Sequence, residues 1–198
     1  MKKLSKKQQF FKRAFDLVLS ILIFPFLVSP IIILVIIAGI STKQSGIIIQ
    51  QRIGKNGLPF SFYKIRTLKG SSHKDITEIK QQETSFGKWL RKSKLDELPQ
   101  LFNVLIGTMS LVGPRPDLPG YADLLKGEDR IILTVKPGIT GPATIKYKNE
   151  DELLLQQENP NKYNDEVIWP DKVAINKNYI ENWTFFKDVN YLWKSLIY

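Results

Sequence analysis

With 198 residues, no cysteine and a formal charge of +10, the chain has room for one domain, or for one domain and an anchor. It has neither structural disulfides nor thiolate metal sites. A charge of this size fits nucleic acid, anionic lipid or a phosphorylated substrate. The sequence carries no zinc-finger spacing and no aromatic-rich strand motif of the RNA-binding kind, which argues against nucleic acid.

Residues 8–16 read as an amphipathic lead-in, with Phe10, Phe11 and Phe15 sharing a face and Lys12, Arg13 and Asp16 elsewhere. Residues 17–40 follow without one charged side chain and contain Pro25 and the pair Ser29-Pro30. The run is too long for a signal peptide, and no small-residue cleavage site follows it. It is long enough to span a bilayer, but each proline removes a backbone donor and crowds the preceding turn. Lys2, Lys3, Lys6, Lys7, Lys12 and Arg13 precede the run, and Lys43, Arg52 and Lys55 follow it. Two readings are open. One is a kinked spanning anchor. The other is a re-entrant helix-break-helix, broken at Ser29-Pro30, which keeps both basic flanks in the cytoplasm. Each half of the second has about 12 residues, or about 18 Å of helix, and reaches about the middle of the hydrocarbon core. Ser29 is then placed to take up a carbonyl freed by Pro30.

Residues 46–50 and 60–64 read as short strands joined by Gly54, Asn56 and Gly57, hence a β-hairpin. Residues 71–83, with the lone His73, are polar and aperiodic and read as a mobile surface loop. Leu98, Leu101, Phe102, Leu105 and Ile106 then recur at helical spacing, and Gly107 ends the run. Residues 107–120 and 136–142 are rich in Pro and Gly and read as loops, the second after a strand or helix end at 131–135. Residues 149–157 and 171–182 are predicted helical, separated by Asn159-Pro160. Phe185, Val189, Leu192, Trp193 and Leu196 share one face of a last helix, suited either to a membrane interface or to a core. There is no internal repeat and no low-complexity tract.

Asp96-Glu97 is the strongest candidate for chemistry. Pro99 belongs in a first helical turn, so both carboxylates fall at a helix start, where free N–H groups favour anions and phosphates. Adjacent carboxylates also suit Mg²⁺, which takes oxygen ligands and substrate phosphates. A helix cap is the competing reading for Asp96. Four cations are candidates for phosphate: Arg91, five residues upstream; Arg115, fixed between Pro114 and Pro116; and Lys64 and Arg66, on one face of a strand. For each, a solvated surface charge is the alternative.

Together these stretches resemble the monotopic phosphoglycosyl transferases, the bacterial sugar transferase family, in its minimal form without the long N-terminal membrane domain of larger relatives. The likeness rests on FKRAFD at 11–16, Ser29-Pro30, QRIG at 51–54, FYKIRT at 62–67, LDELPQLFNV at 95–104, MSLVGPRP at 109–116 and KPGITG at 136–141. It covers nearly the whole chain, and several long motifs in order make it specific. It implies an α+β, mostly helical fold: a re-entrant membrane hairpin over 1–45 and a cytoplasmic catalytic domain over 46–198, with a small β-hairpin and amphipathic interfacial helices. It also implies residence at the cytoplasmic face of the bacterial inner membrane.

The same resemblance implies the reaction. Asp96 would attack the β-phosphate of a UDP-sugar and release UMP. The aspartyl phosphosugar would pass to a polyprenol phosphate, typically undecaprenyl phosphate, opening the assembly of a surface polysaccharide or glycoconjugate. Glu97, with Asp96, would hold Mg²⁺, and downstream glycosyltransferases are possible partners. The chain departs from the common pattern after Gly141, where many members carry Trp-Ala-Gln and this one has PATIKYK at 142–148, which leaves the sugar open. Two other classes remain: a non-catalytic membrane scaffold of a glycan assembly complex, which needs no Asp96-Glu97, and a membrane-bound nucleic-acid binder, which predicts salt-dependent binding.

Overall fold

A computed structural model describes residues 2–70 and 81–197; most of the predicted polar loop, including His73, lies outside the described residues. The first element is built by its cap. The Ser5 hydroxyl accepts from the Gln8 amide at 3.2 Å, and the Gln8 side chain accepts from the Ser5 amide at 2.8 Å, a reciprocal capping box. Helix α1 then runs over Lys6–Thr42 and ends at Lys43 in left-handed conformation, φ 57°.

The expected break at Ser29-Pro30 is not a change of backbone conformation. The chain stays helical through both Pro25 and Pro30, and Ser29 makes no side-chain hydrogen bond among the described residues. Proline costs an interior helix about 3 kcal/mol. In an apolar segment the remaining backbone groups have no other partners, which favours keeping the helix.

After Gly46, β1 (Ile47–Ile53) and β2 (Pro59–Ile65) pair antiparallel, from Ile47↔Ile65 to Ile53↔Pro59. Asn56 (φ 63°) and Gly57 (φ 80°) provide the left-handed turn. The predicted hairpin is therefore present, with longer strands. Helix α2 (Ser85–Ser93) is capped by the Thr84 hydroxyl on the Gly87 amide. A 3₁₀ turn, Leu95–Glu97, leads into α3 (Gln100–Ile106), which Gly107 ends at φ 91°.

Both Pro/Gly stretches predicted as loops contain a short strand. β3 (Ser110–Val112) and β4 (Gly138–Thr140) pair in parallel; at three residues each they carry no readable alternation. Residues 131–135 belong mostly to a 3₁₀ run, Gly127–Thr134. Short helices α4 (Pro142–Lys146), α5 (Glu150–Leu155) and α6 (Pro160–Tyr163) follow. Asn159-Pro160 opens a helix rather than only separating two, since the Asn159 side chain caps Lys162 and Pro160 fits the first turn. A π-helical turn leads into α7 (Trp169–Glu181), and α8 (Phe185–Ile197) closes the described chain.

One core gathers Val104, Met109, Val112, Ile131, Ile180 and Trp183, with Phe15, Leu19, Phe24 and Leu27 of α1 packed on it. A smaller one joins Ala38 at the far end of α1 to Ile65 and Leu90. The N-terminal end is fixed by polar contacts. Lys12 meets Asp188 at 2.5 Å, Arg13 donates to the carbonyls of Val104 and Leu105, and Asp16 accepts from the Ser110 hydroxyl at 2.7 Å and the Leu111 amide at 3.1 Å. Asp188 also accepts from Tyr179 and Trp183. The other face of α1, including Ile21, Leu22, Phe26, Ile33, Ile36 and Ile40, is exposed. On α8, Phe186, Trp193 and Leu196 are 63–82 % exposed.

Candidate active site

The acidic pair sits in the turn between α2 and α3. Lys94 ends α2 in left-handed conformation, φ 57°, and its carbonyl accepts from the Glu97 amide at 3.2 Å. That reversal turns Asp96 and Glu97 inward, to 1 % and 8 % exposure. The α-helix proper begins at Gln100, one turn later than Pro99 suggests from sequence; the carboxylates lie on the 3₁₀ turn before it.

Two of the four predicted cations reach the pair. Lys64, near the end of β2, is 2.8 Å from Asp96 Oδ2 and 3.8 Å from Glu97 Oε1. Arg115 approaches Glu97 with both terminal nitrogens, Nη1 to Oε2 at 3.0 Å and Nη2 to Oε1, the forked geometry guanidinium makes with carboxylate. Burial by itself would raise the Glu97 carboxyl, but Arg115, Lys64 and Lys94 outweigh it and hold that carboxyl well below the usual range. Asp96 receives no hydrogen bond on either oxygen; its link to Lys64 is one of charge.

The other two cations lie elsewhere. Arg91 pairs with Asp151 and, at 3.5 Å, with Glu83. Arg66 follows β2 and donates to the carbonyls of Ser45 and Gly70. Ser29 and Pro30 are exposed within α1.

Arg115 owes its position to glycines. A Cβ on Gly138 would stand 2.1 Å from the Gly113 nitrogen, and one on Gly141 would stand 2.2 Å from the Gly113 carbonyl oxygen. Three backbones thus meet where side chains do not fit. The Gly113 amide donates to Thr140 at 2.9 Å and the Gly138 amide to Pro114 at 2.8 Å. The two Pro/Gly motifs are one unit: the second is the platform that aims Arg115 at Glu97.

Sequence reasoning missed two further groups. Arg52, on β1, lies over the Phe62 ring and donates to Gln50 and the Pro116 carbonyl, while its Nε has no partner. Burial, then the nearby charge of Arg115, lowers its pKa to about 10. Asp117, two residues past Arg115, is pushed up to about 6 by burial, against the pull of Lys172, Arg52 and Arg115. Strand alternation was the signal available for Arg52, since it pairs with Phe60 across the hairpin.

The site is thus a buried, cation-matched carboxylate pair in a chain that also carries an apolar helix long enough to cross a membrane. The family is then explicit: the model of bacterial sugar transferases matches residues 7–198, and the chain belongs to that family. It is 36% identical over 91% of its length to the uncharacterized sugar transferase EpsL of Bacillus subtilis, covering 83% of that protein. It is 30% identical over 96% of its length to an undecaprenyl-phosphate galactose phosphotransferase of Salmonella typhimurium. Against a UDP-glucose:undecaprenyl-phosphate glucose-1-phosphate transferase of Escherichia coli it is 34% identical over 94% of its length. The chain spans 40% and 39% of those two longer proteins.

Proposed function

We propose that this protein transfers a phosphosugar from a UDP-sugar to a polyprenol phosphate, with undecaprenyl phosphate as the carrier and UMP as the released product. The observation that carries the reading is Asp96: a carboxylate with 1 % exposure, no hydrogen bond to occupy its oxygens and a lysine at 2.8 Å. An Asp96 oxygen forms a bond to the β-phosphorus as the bond from that phosphorus to the bridging oxygen breaks, and the electron pair leaves on UMP. An oxygen of the lipid phosphate then bonds to the same phosphorus, the Asp96–phosphorus bond breaks, and the carboxylate is restored. A covalent intermediate divides one difficult displacement into two. Lys64 and Arg115 are placed to turn from the carboxylates to phosphate oxygens as charge develops there.

The donor set suits Mg²⁺. Asp96 and Glu97 present hard oxygen ligands, and this ion commonly takes one or two carboxylates plus substrate phosphates. Among the described residues no cluster of three or more metal-ligating side chains occurs, so the phosphates would complete such a shell. When bound, the ion would neutralise diphosphate charge.

The topology favoured keeps both ends of α1 on the cytoplasmic face of the inner membrane. Lys12 and Ala38 are about 39 Å apart along a helix, and each is packed against the same folded domain. A segment crossing a core of about 30 Å would put them on opposite sides. The exposed apolar face of α1 supports contact with lipid, and Lys2, Lys3, Lys6 and Lys7 suit anionic headgroups. A polyprenyl diphosphate sugar made there is the acceptor that downstream glycosyltransferases need. A scaffold accounts for the helix but gives no reason to bury Asp96.

The test is UMP release by purified protein with undecaprenyl phosphate, Mg²⁺ and a panel of UDP-sugars. One donor should support release, and Asp96→Asn should reduce it by about 10⁴-fold or more. Undiminished release by Asp96→Asn would remove the nucleophile assignment.

A further inference from the structure

We propose that Gln100 is a catalytic residue whose side-chain amide donates to the non-bridging oxygens of the phosphoryl group transferred through Asp96. This rests on the phosphosugar-transfer reading above. Gln100 has no exposed surface, and neither its Nε2 nor its Oε1 has a hydrogen-bond partner. Leaving a buried amide unpaired is costly, and such groups are rare in folded proteins. A leucine or methionine would fill similar space without that cost.

Asn103, three residues on, is buried to the same degree and shows what a structural amide looks like here. Its Nδ2 donates to the Ser61 carbonyl at 2.7 Å and to the Thr108 hydroxyl at 3.0 Å, and its Oδ1 accepts from the Tyr63 amide at 3.2 Å. One motif therefore holds one satisfied amide and one orphaned amide. The satisfied one ties α3 to β2.

The orphaned one follows Asp96 by four residues. Leu98 and Pro99 have right-handed helical backbone, φ/ψ −52°/−37° and −61°/−16°. Asp96, on the 3₁₀ turn, and Gln100, at the start of α3, are thus about one turn apart in the chain, and both elements pack against β2. Both Asp96 oxygens also lack hydrogen-bond donors. A buried amide without a partner and, four residues before it, a buried carboxylate met only by the Lys64 charge mark where a ligand with both a phosphorus centre and acceptor oxygens belongs. The amide is neutral and transfers no proton. It stabilises charge on the phosphoryl oxygens in both displacements, as Asp96 bonds to phosphorus and UMP leaves, and as the lipid phosphate displaces Asp96.

The experiment compares full-length wild type, Gln100→Leu and Gln100→Glu in detergent, reading Tm and the kinetics of UMP release. Gln100→Leu should melt at or above the wild-type temperature, because it removes an unpaired buried amide, while kcat falls about 10²-fold, the scale of losing one oxyanion donor, and KM for the UDP-sugar stays within about threefold. Gln100→Glu, of nearly identical shape but without the amide donor, should lose activity to a similar extent. Wild-type kcat in Gln100→Leu would overturn the inference, as would lower Tm in step with lost activity in both variants, which marks a packing role. If the wild type itself releases no UMP with any donor, the phosphosugar reading falls and the role of Gln100 with it; a defect confined to Gln100 variants leaves that reading standing.

Discussion

Arg115 and Glu97 lie 18 residues apart in sequence and meet fork to fork, two guanidinium nitrogens on two carboxylate oxygens. Lys64 approaches the same carboxylate at 3.8 Å. Removing one partner of a buried pair leaves an uncompensated charge, at a cost of about 3–5 kcal/mol. Arg115→Met should therefore lower stability by about that amount, less what its partial exposure returns. The double variant Arg115→Met/Glu97→Gln should recover much of the loss. Denaturant unfolding of the four proteins in detergent measures the coupling; additive single effects would show that the pair does not act as a unit.

Lys12 and Asp188 tie the first helix to the last. Asp188 also accepts from Tyr179 at 2.6 Å and Trp183 at 3.0 Å, so Lys12→Met leaves a buried carboxylate short of its cation. The expected loss is about 3–5 kcal/mol. Proteolysis should then cut earlier near α8 than in wild type, and limited digestion followed by mass spectrometry reads this directly.

Gly138→Ala tests the glycine platform. Its new Cβ would meet the Gly113 nitrogen at 2.1 Å, so the backbone beneath Arg115 must move. Overpacking of this kind costs about 1–3 kcal/mol, and transfer activity should fall more than tenfold, because small misplacements at a site are expensive. A variant with wild-type activity would show that Arg115 is aimed by something else.

Asp117 predicts a pH signature. Its native pKa of about 6 lies above the ordinary 3.8, so the folded protein holds a proton that the unfolded chain releases. The associated stability is complete below about pH 4 and is lost as pH rises through about 6. Asp117→Asn, which stays neutral, should match wild type near pH 4 and exceed it by about 1–3 kcal/mol at pH 7–8. Melting curves across that range give the answer; an offset independent of pH would contradict it.

Much of the fold was legible in the sequence because its signals are local. Ser5 and Gln8, Asn56 and Gly57, and Gly107 each set a boundary through backbone chemistry within a few residues. The acidic pair was placed near a helix start for the same reason, since Pro99 favours a first turn, although the α-helix itself begins only at Gln100. What was not legible depends on distant contacts. The pairing of β3 with β4 needs Gly113 to meet Gly138 and Gly141. Arg66 and Arg91 carry the same charge as Lys64 and Arg115, yet they are held by Ser45 and Asp151, respectively. At Ser29-Pro30, local cost pointed to a break, while the need to pair backbone groups in an apolar segment favours continuous helix.

The proposed transfer passes through a covalent phosphosugar on Asp96. Intact-mass spectrometry of the protein mixed with its UDP-sugar and Mg²⁺, with no lipid phosphate present, tests it most directly. One phosphosugar should be added per chain and one UMP released, with the adduct on the peptide containing Asp96, and none of these should occur in Asp96→Asn. UMP release that requires the lipid phosphate and leaves no adduct, or an adduct on another residue, would contradict it.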